Sequence, residues 1–213
     1  MEYIIVGAGG HGRVILDILK AQNKAVAGFI DENEKEAVLG VYPILGKKES
    51  IVKWIETGKN IKFIVAIGDN EIRKELVHYI QTHNGQFGKA IHPSSIVSNN
   101  VKIGMGSVVM PNVVINNATN IGQHVILNTS ATIDHDCTIQ DFVHVSPGVN
   151  LAGGVTIGSN SHIGVGACII PKIKVGNNVI VGAGGVVIED IVNDVVAVGC
   201  PTKIIEKANL YRS

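Results

Sequence analysis

A six-residue period governs the second half of this 213-residue chain. From residue 91 onward, Ile, Leu or Val occupies every sixth position without a miss. The seventeen positions are Ile91, Val97, Ile103, Val109, Ile115, Ile121, Leu127, Ile133, Ile139, Val145, Leu151, Ile157, Ile163, Ile169, Val175, Val181 and Val187. If such residues filled about a third of all positions, a run this long would arise about once in a hundred million trials. The period therefore reflects a structural repeat.

Small residues recur at fixed offsets from the aliphatic position. A small or β-branched residue lies two positions before it, as at Ser107, Thr119, Ala131, Cys137 and Ser161. Glycine follows it directly at Gly104, Gly122, Gly158, Gly164, Gly176 and Gly182. This pattern is typical of a hexapeptide-repeat β-helix, in which three repeats form one triangular coil of about 18 residues. We expect about five stacked coils within residues 89–213, followed by a C-terminal tail.

Residues 1–88 follow a different pattern. Apolar runs at 2–6, 25–30 and 61–68 predict three strands, and the stretches after residue 12 and from 71 to 82 have a helical pattern. Strands that alternate with helices indicate a small parallel sheet covered by helices. The sequence therefore predicts an α/β half-Rossmann domain in front of the β-helix.

A glycine-rich turn joins the first strand to the first helix. Gly7, Gly9 and Gly12 spell GxGxxG, and Asp31 ends the next strand. Such a turn lets a phosphate approach backbone amides at a helix N-terminus, and the acidic residue can bind a ribose or base. Because the domain supplies only half of a doubly wound fold, we expect a nucleotide diphosphate rather than a redox cofactor. A purely structural turn remains the alternative.

The composition excludes several classes of partner. The formal net charge is zero and no basic cluster occurs, so binding of nucleic acid is not expected. No apolar run reaches the ~18 residues of a membrane helix, and the first residues lack the pattern of a signal peptide. The three cysteines form no CxxC pair, as expected of reduced thiols. We expect a cytoplasmic protein that does not enter membranes.

His135 is the candidate base among the histidines of the repeat. It lies in IDHDC beside Asp136, which can orient and strengthen the imidazole. Residues one coil apart stack, so Gly153 should face His135 without covering it, and the amides of Gly153 and Gly154 could donate to an oxyanion. Glycines that merely turn a corner are the alternative. Cys137 or Ser146 could act as a nucleophile in an acyl-enzyme route, but the repeat position of Cys137 points inward, which disfavours a reactive thiolate.

The order of a glycine-rich half-fold and a β-helix, together with IDHDC and the GCPTK segment at 199–203, resembles a known enzyme family. The family comprises the UDP-4-amino-sugar N-acetyltransferases that make bacillosamine-type sugars, with their sialic acid O-acetyltransferase relatives. The resemblance implies a left-handed parallel β-helix. It also implies acetyl transfer from acetyl-CoA to the amino group of a UDP-linked 4-amino-4,6-dideoxy sugar, for surface glycan or glycoprotein synthesis. His135 would be the general base and Asp136 its acidic partner.

The resemblance also implies binding residues and an assembly. The UDP-sugar would contact Gly9, Gly10, His11, Asp31, Glu32 and Gly68. Acetyl-CoA, a cosubstrate rather than a bound cofactor, would contact His144, Gly153, Val165 and Ala183. The active site would lie between the subunits of a homotrimer, without a metal.

Two other functions stay open. The same base could serve an O-acetyltransferase that acts on sialic acid or another sugar. The chain could also be a non-catalytic β-helix protein or a metal enzyme related to the γ-class carbonic anhydrases. The four histidines His124, His135, His144 and His162 provide no local chelating pair on one strand, which disfavours the metal enzyme.

Overall fold

A computed structural model describes residues 1–33 and 37–207 of the chain. It divides into two compact units, Met1–Pro93 and Ser94–Ser213. The end of the predicted C-terminal tail, residues 208–213, lies outside the described residues. Within the described ranges, no helix has the length and apolar character needed to cross a membrane.

The N-terminal unit is a Rossmann-like parallel sheet with helices, as the alternating pattern predicts. The elements in chain order are β1 (Glu2–Val6), α1 (Gly10–Ala21), β2 (Ala25–Ile30), α2 (Ser50–Glu56), β3 (Ile61–Val65) and α3 (Asn70–Thr82), followed by the short strand Ala90–Ile91. The three strands of the sheet pair in the order β2-β1-β3. Asp69 caps α3 by accepting a hydrogen bond from the Ile72 amide at 2.9 Å. The sequence pattern did not reveal α2.

The C-terminal unit is a parallel β-helix with three faces of two-residue strands. The first face contains Ile96–Val97, Val114–Ile115, Thr132–Ile133, Asn150–Leu151, Cys168–Ile169 and Val186–Val187. The second contains Lys102–Ile103, Asn120–Ile121, Thr138–Ile139, Thr156–Ile157 and Lys174–Val175. The third contains Val108–Val109, Ile126–Leu127, His144–Val145, His162–Ile163, Ile180–Val181 and Val195–Val198, and the antiparallel strand Lys203–Lys207 pairs with the last of these. Six strands on the first face exceed the five coils expected.

Each coil stacks on the next with an offset of one 18-residue turn. Thr132 pairs with Asn150 and Ile133 pairs with Leu151, and the other two faces have the same register. The last coil is shorter, so that Ile180 pairs with Val196. The aliphatic residue of each hexapeptide points inward and is buried from Val109 to Val187. This column supplies the hydrophobic core that no single repeat could form.

At the corners of the β-helix, single residues adopt the left-handed backbone conformation, with a positive φ, at regular intervals. One residue in every six has a φ between 54° and 77°, from Gly106 to Gly184. Five of these residues are glycines and nine are not. The glycines are Gly106, Gly148, Gly154, Gly166 and Gly184, and the others are Asn112, Ala118, His124, Ser130, Asp136, Phe142, Asn160, Lys172 and Asn178. Asn and Asp tolerate this conformation best among residues with a side chain. The backbone conformation of each corner residue therefore fixes the direction of the side chains next to it in sequence.

Candidate active site

His135 and Asp136 form a hydrogen-bonded pair on an exposed corner of the β-helix. The His135 Nδ1 atom lies 2.8 Å from the Asp136 carboxylate, and the two side chains are 61% and 65% exposed. Asp136 occupies the left-handed corner position, with φ 60°. If Nδ1 carries the proton and donates it to Asp136, Nε2 keeps its lone pair and can accept a proton.

Asp134 is a second carboxylate in the same turn. Its Oδ1 atom accepts hydrogen bonds from the His135 amide and from the Asn116 side-chain amide, each at 2.8 Å. These hydrogen bonds, first the one from Asn116, lower the pKa of Asp134. The hydrogen bond to Asp136 raises the pKa of His135, and the charge of Asp134 raises it further. The turn therefore makes His135 a stronger base than an isolated imidazole.

Gly153 lies directly against the His135 ring, one coil away. A Cβ atom built on Gly153 would lie 2.6 Å from His135 Cε1 and 2.7 Å from Nε2. Any side chain at position 153 would therefore displace the His135 ring, and only glycine leaves the ring where it is. The Gly154 amide donates to the His135 carbonyl oxygen at 2.9 Å, so the expectation that this amide serves an oxyanion is wrong.

A shallow hollow opens on the same side of the β-helix. Its volume is about 530 Å³, and Asp134, Asn116, Asn150, Cys168 and Ile170 line part of it. Asp134 thus contributes both to this hollow and to the turn that holds His135. The hollow offers space for a small extended group beside the turn that carries His135, although His135 itself does not line it.

Both alternative nucleophiles, Cys137 and Ser146, are buried. Cys137 is fully buried, and burial raises the pKa of its thiol. Ser146 is 3% exposed, and its hydroxyl lies 2.8 Å from His162 Nε2. A buried thiol with a raised pKa carries little thiolate at neutral pH, which favours direct transfer over an acyl-enzyme.

The residues expected to contact acetyl-CoA lie on two features of the β-helix. The rings of His144 and His162 stack with centroids 4.6 Å apart and an angle of 5° between their planes. His144 Nε2 also lies 3.3 Å from the Asn128 side-chain amide. Val165 and Ala183 are exposed on successive stacked turns, which are joined by a 2.8 Å hydrogen bond from the Gly184 amide to the Val165 carbonyl.

In the N-terminal unit, the glycine loop is held by Asp31. The Asp31 Oδ2 atom accepts a 2.7 Å hydrogen bond from the Ala8 amide. A Cβ atom on Gly9 would meet nothing within 4 Å, and one on Gly10 would only approach the end of the Arg13 side chain. The loop thus exposes bare backbone at the start of α1, where the helix dipole favours an anion.

His11 points inward rather than into solvent. Its Nε2 atom is buried without a hydrogen-bond partner among the described residues. Burial first, and the charge of Arg73 second, lower the pKa of His11 to about 4. The ring is therefore neutral at neutral pH. Glu32, expected beside Asp31, accepts a 3.2 Å hydrogen bond from the Lys48 amide.

Comparison with known proteins covers both units. Residues 2–80 match the model of the PglD N-terminal domain. The structure of a histidine-to-asparagine mutant of perosamine N-acetyltransferase from Caulobacter crescentus, in complex with CoA and GDP-perosamine, is 40% identical. The match covers 97% of this chain and 98% of that one, with a TM-score of 0.93.

The chain belongs to the sugar N-acetyltransferase family.

Two further members of this family are also similar. The acetyltransferase domain of PglB from Neisseria gonorrhoeae, in complex with acetyl coenzyme A, is 34% identical over 96% of this chain and 98% of that one, with a TM-score of 0.90. The UDP-N-acetylbacillosamine N-acetyltransferase of Bacillus subtilis is 38% identical over 105 residues. That alignment spans about half of this chain and about half of the Bacillus protein.

Two residues that shape the loops of the site were not identified from the sequence. The first is Asp134, whose carboxylate accepts a hydrogen bond from the His135 amide. Arg73 is 1% exposed, and its guanidinium donates to the carbonyl oxygens of Ile67 at 3.0 Å and Gly68 at 3.2 Å. An arginine in an amphipathic helix pattern gives no sign that it is buried, and only the folded loop reveals its acceptors.

Proposed function

We propose that the protein transfers an acetyl group from acetyl-CoA to the amino group of a nucleotide-linked amino sugar. The observation that carries the proposal is the His135 ring, which is hydrogen-bonded to Asp136 through Nδ1 and faces bare glycine backbone at Nε2. A base in this state, with 61% of its side chain exposed, suits the removal of a proton from an attacking amine.

The chemistry follows from that geometry. The neutral sugar amine attacks the thioester carbonyl carbon, and a C–N bond forms while the carbonyl π electrons move to oxygen. His135 Nε2 takes the proton from the nitrogen, and Asp136 stabilises the imidazolium that results. The intermediate then collapses, the C–S bond breaks, and the proton passes to the CoA thiolate. The amide and free CoA are the products.

The acceptor is proposed to be a UDP-linked 4-amino-4,6-dideoxy sugar, used for surface glycan or glycoprotein synthesis. Its nucleotide would lie on the loop of Gly9 and Gly10, with Asp31, Glu32 and Gly68 at the adjoining strand ends. The match to the PglD N-terminal domain and the UDP-sugar name of the Bacillus relative support this choice. The perosamine relative binds GDP-perosamine, so a GDP-linked sugar is the second candidate.

His11 enters this site in a different way from the other predicted contacts. Because Nε2 is buried and neutral, the ring would support the loop from behind or meet the ligand only through its other atoms.

Acetyl-CoA is proposed to bind along the β-helix at His144, Gly153, Val165 and Ala183. The exposure of Val165 and Ala183 and the position of Gly153 beside the base support this path. We further propose a cytoplasmic homotrimer with its active sites between subunits, since the flat faces of a β-helix can pack around a threefold axis. Light scattering coupled to size-exclusion chromatography would measure the assembly directly.

The proposal is tested by following thiol release from acetyl-CoA with UDP- and GDP-linked 4-amino-4,6-dideoxy sugars. Turnover with a nucleotide-linked amino sugar, reduced about 100-fold or more in His135→Ala, is the expected result. Mass spectrometry of the product should show an N-acetyl group. Turnover only with free sialic acid would replace this proposal with O-acetylation, and zinc near one per subunit without CoA binding would replace it with a metal enzyme.

A further inference from the structure

Two buried side chains, stacked one coil apart inside the β-helix, hold the two turns of the active site. The first is Thr119, which is fully buried beneath the turn that carries His135. Its hydroxyl donates to the Asp134 carbonyl oxygen at 2.8 Å and accepts from the Cys137 amide at 3.2 Å. One hydroxyl thus joins both ends of the turn whose two central residues are His135 and Asp136.

The second is Cys137, which occupies the same position one coil further on. Its thiol donates to the Ala152 carbonyl oxygen at 3.3 Å. The Val155 amide, at the other end of this turn, points toward its sulfur. Cys137 therefore joins the ends of the turn that contains Gly153, the residue that faces the His135 ring.

These polar groups lie only beneath the two turns of the site on this corner of the described β-helix. Val155 and Ile173, which follow at the same position in the next coils, are buried apolar residues that offer no hydroxyl or thiol. A small displacement of either turn would change the distance between the His135 ring and Gly153, which are already in close contact. Reactions that depend on a positioned base lose about 100-fold for a misplacement of about 1 Å.

We propose that Thr119 and Cys137 are positioning residues that set the geometry of His135 against Asp136 and Gly153. The inference rests on the proposed function for its kinetic consequence, but the geometry of His135 can be measured without turnover. Neither residue touches a substrate, because both lie inside the β-helix.

Ser107 provides a matched control in another corner. It is fully buried, and its hydroxyl donates to the Gly122 carbonyl oxygen at 2.8 Å and accepts from the Val125 amide at 2.9 Å. The hydrogen bonds are the same as those of Thr119, but the turn they hold contains Gln123 and His124 and no residue of the proposed site. Ser107→Ala should therefore cost stability in the same way without touching His135.

The experiment compares Thr119→Val, Thr119→Ser and Ser107→Ala in the full-length protein. We expect Thr119→Val to lower kcat about 10-fold or more while KM for acetyl-CoA changes about 2-fold or less, because the base moves and the cosubstrate contacts stay. Thr119→Ser, which keeps the hydroxyl, should recover most of kcat. Ser107→Ala should lower Tm about as much as Thr119→Val and leave kcat within about 2-fold.

A second readout is the pKa of His135, measured by NMR titration with the resonance assigned from His135→Ala. Asp136 and Asp134 raise this pKa, so displacement of the turn in Thr119→Val should lower it, and Ser107→Ala should leave it unchanged. Equal kcat and equal His135 pKa in Thr119→Val and wild type would overturn the inference, as would a Thr119→Ser variant as impaired as Thr119→Val. If the wild type lacks acetyltransferase activity, the proposed function fails, while the pKa comparison still decides the positioning role.

Discussion

Replacement of Gly153 by alanine tests the active-site geometry most directly. The added Cβ atom would lie 2.6 Å from His135 Cε1 and 2.7 Å from Nε2. Ordinary contacts begin at about 3.5 Å, so the ring must withdraw by about 0.8 to 0.9 Å. The backbone of Gly153 does not have a left-handed φ, and alanine adds no strain of its own there.

The cost of this displacement should fall on catalysis rather than on folding. His135 is 61% exposed, so its ring can swing toward solvent with little loss of packing. We expect Tm to stay within about 2 °C, as for most surface substitutions. A base misplaced by nearly 1 Å should lower kcat about 100-fold. Thiol release from acetyl-CoA at saturating substrates measures the effect.

The double variant provides the control. If Gly153→Ala acts by moving the His135 ring, it should lower the residual activity of His135→Ala no further, because the ring is already absent. Equal kcat for Gly153→Ala and wild type would refute the steric argument. A further loss of about 100-fold in the His135→Ala background would show that Gly153 acts on the acyl group instead.

The remaining predictions concern the two carboxylates that hold the loops. Asp136→Asn suits the left-handed corner and should fold normally, but kcat should fall about 10- to 100-fold. Since the hydrogen bond to Asp136 is the main cause of the raised His135 pKa, the ascending limb of kcat/KM against pH should move to lower pH; an unmoved limb would contradict this origin. Asp31→Ala removes the acceptor of the Ala8 amide and should weaken the binding of UDP or GDP about 10-fold, as measured by calorimetry. Asp31→Asn is the milder control. Unchanged affinity in Asp31→Ala would show that Asp31 does not contribute to the nucleotide site.

Much of the fold could be read from the sequence because its interactions are local and periodic. An inward aliphatic residue at every sixth position leaves few alternatives to a β-helix. The strand β1 and the helix α3 agree closely with their apolar patterns. Helix α2 was missed because its short apolar pattern lies within a polar stretch.

The left-handed corners illustrate what periodicity could not reveal. Glycine marks some of them, but Ala118, His124 and Phe142 occupy others against their own preferences. Stacking of the coils imposes the conformation there, because the ladder of hydrogen bonds from neighbouring coils outweighs the local cost of a positive φ.

For the active site, the sequence by itself determined the pair His135 and Asp136 and the stacking of Gly153 one coil away. It did so because a fixed repeat converts separation along the chain into position in space. Only the tertiary structure decided the roles of Asp134, Thr119 and Arg73, and the inward orientation of His11. Their hydrogen bonds join atoms that meet only after the chain has folded, and the residue type alone does not state which partner a hydroxyl, carboxylate or guanidinium will find.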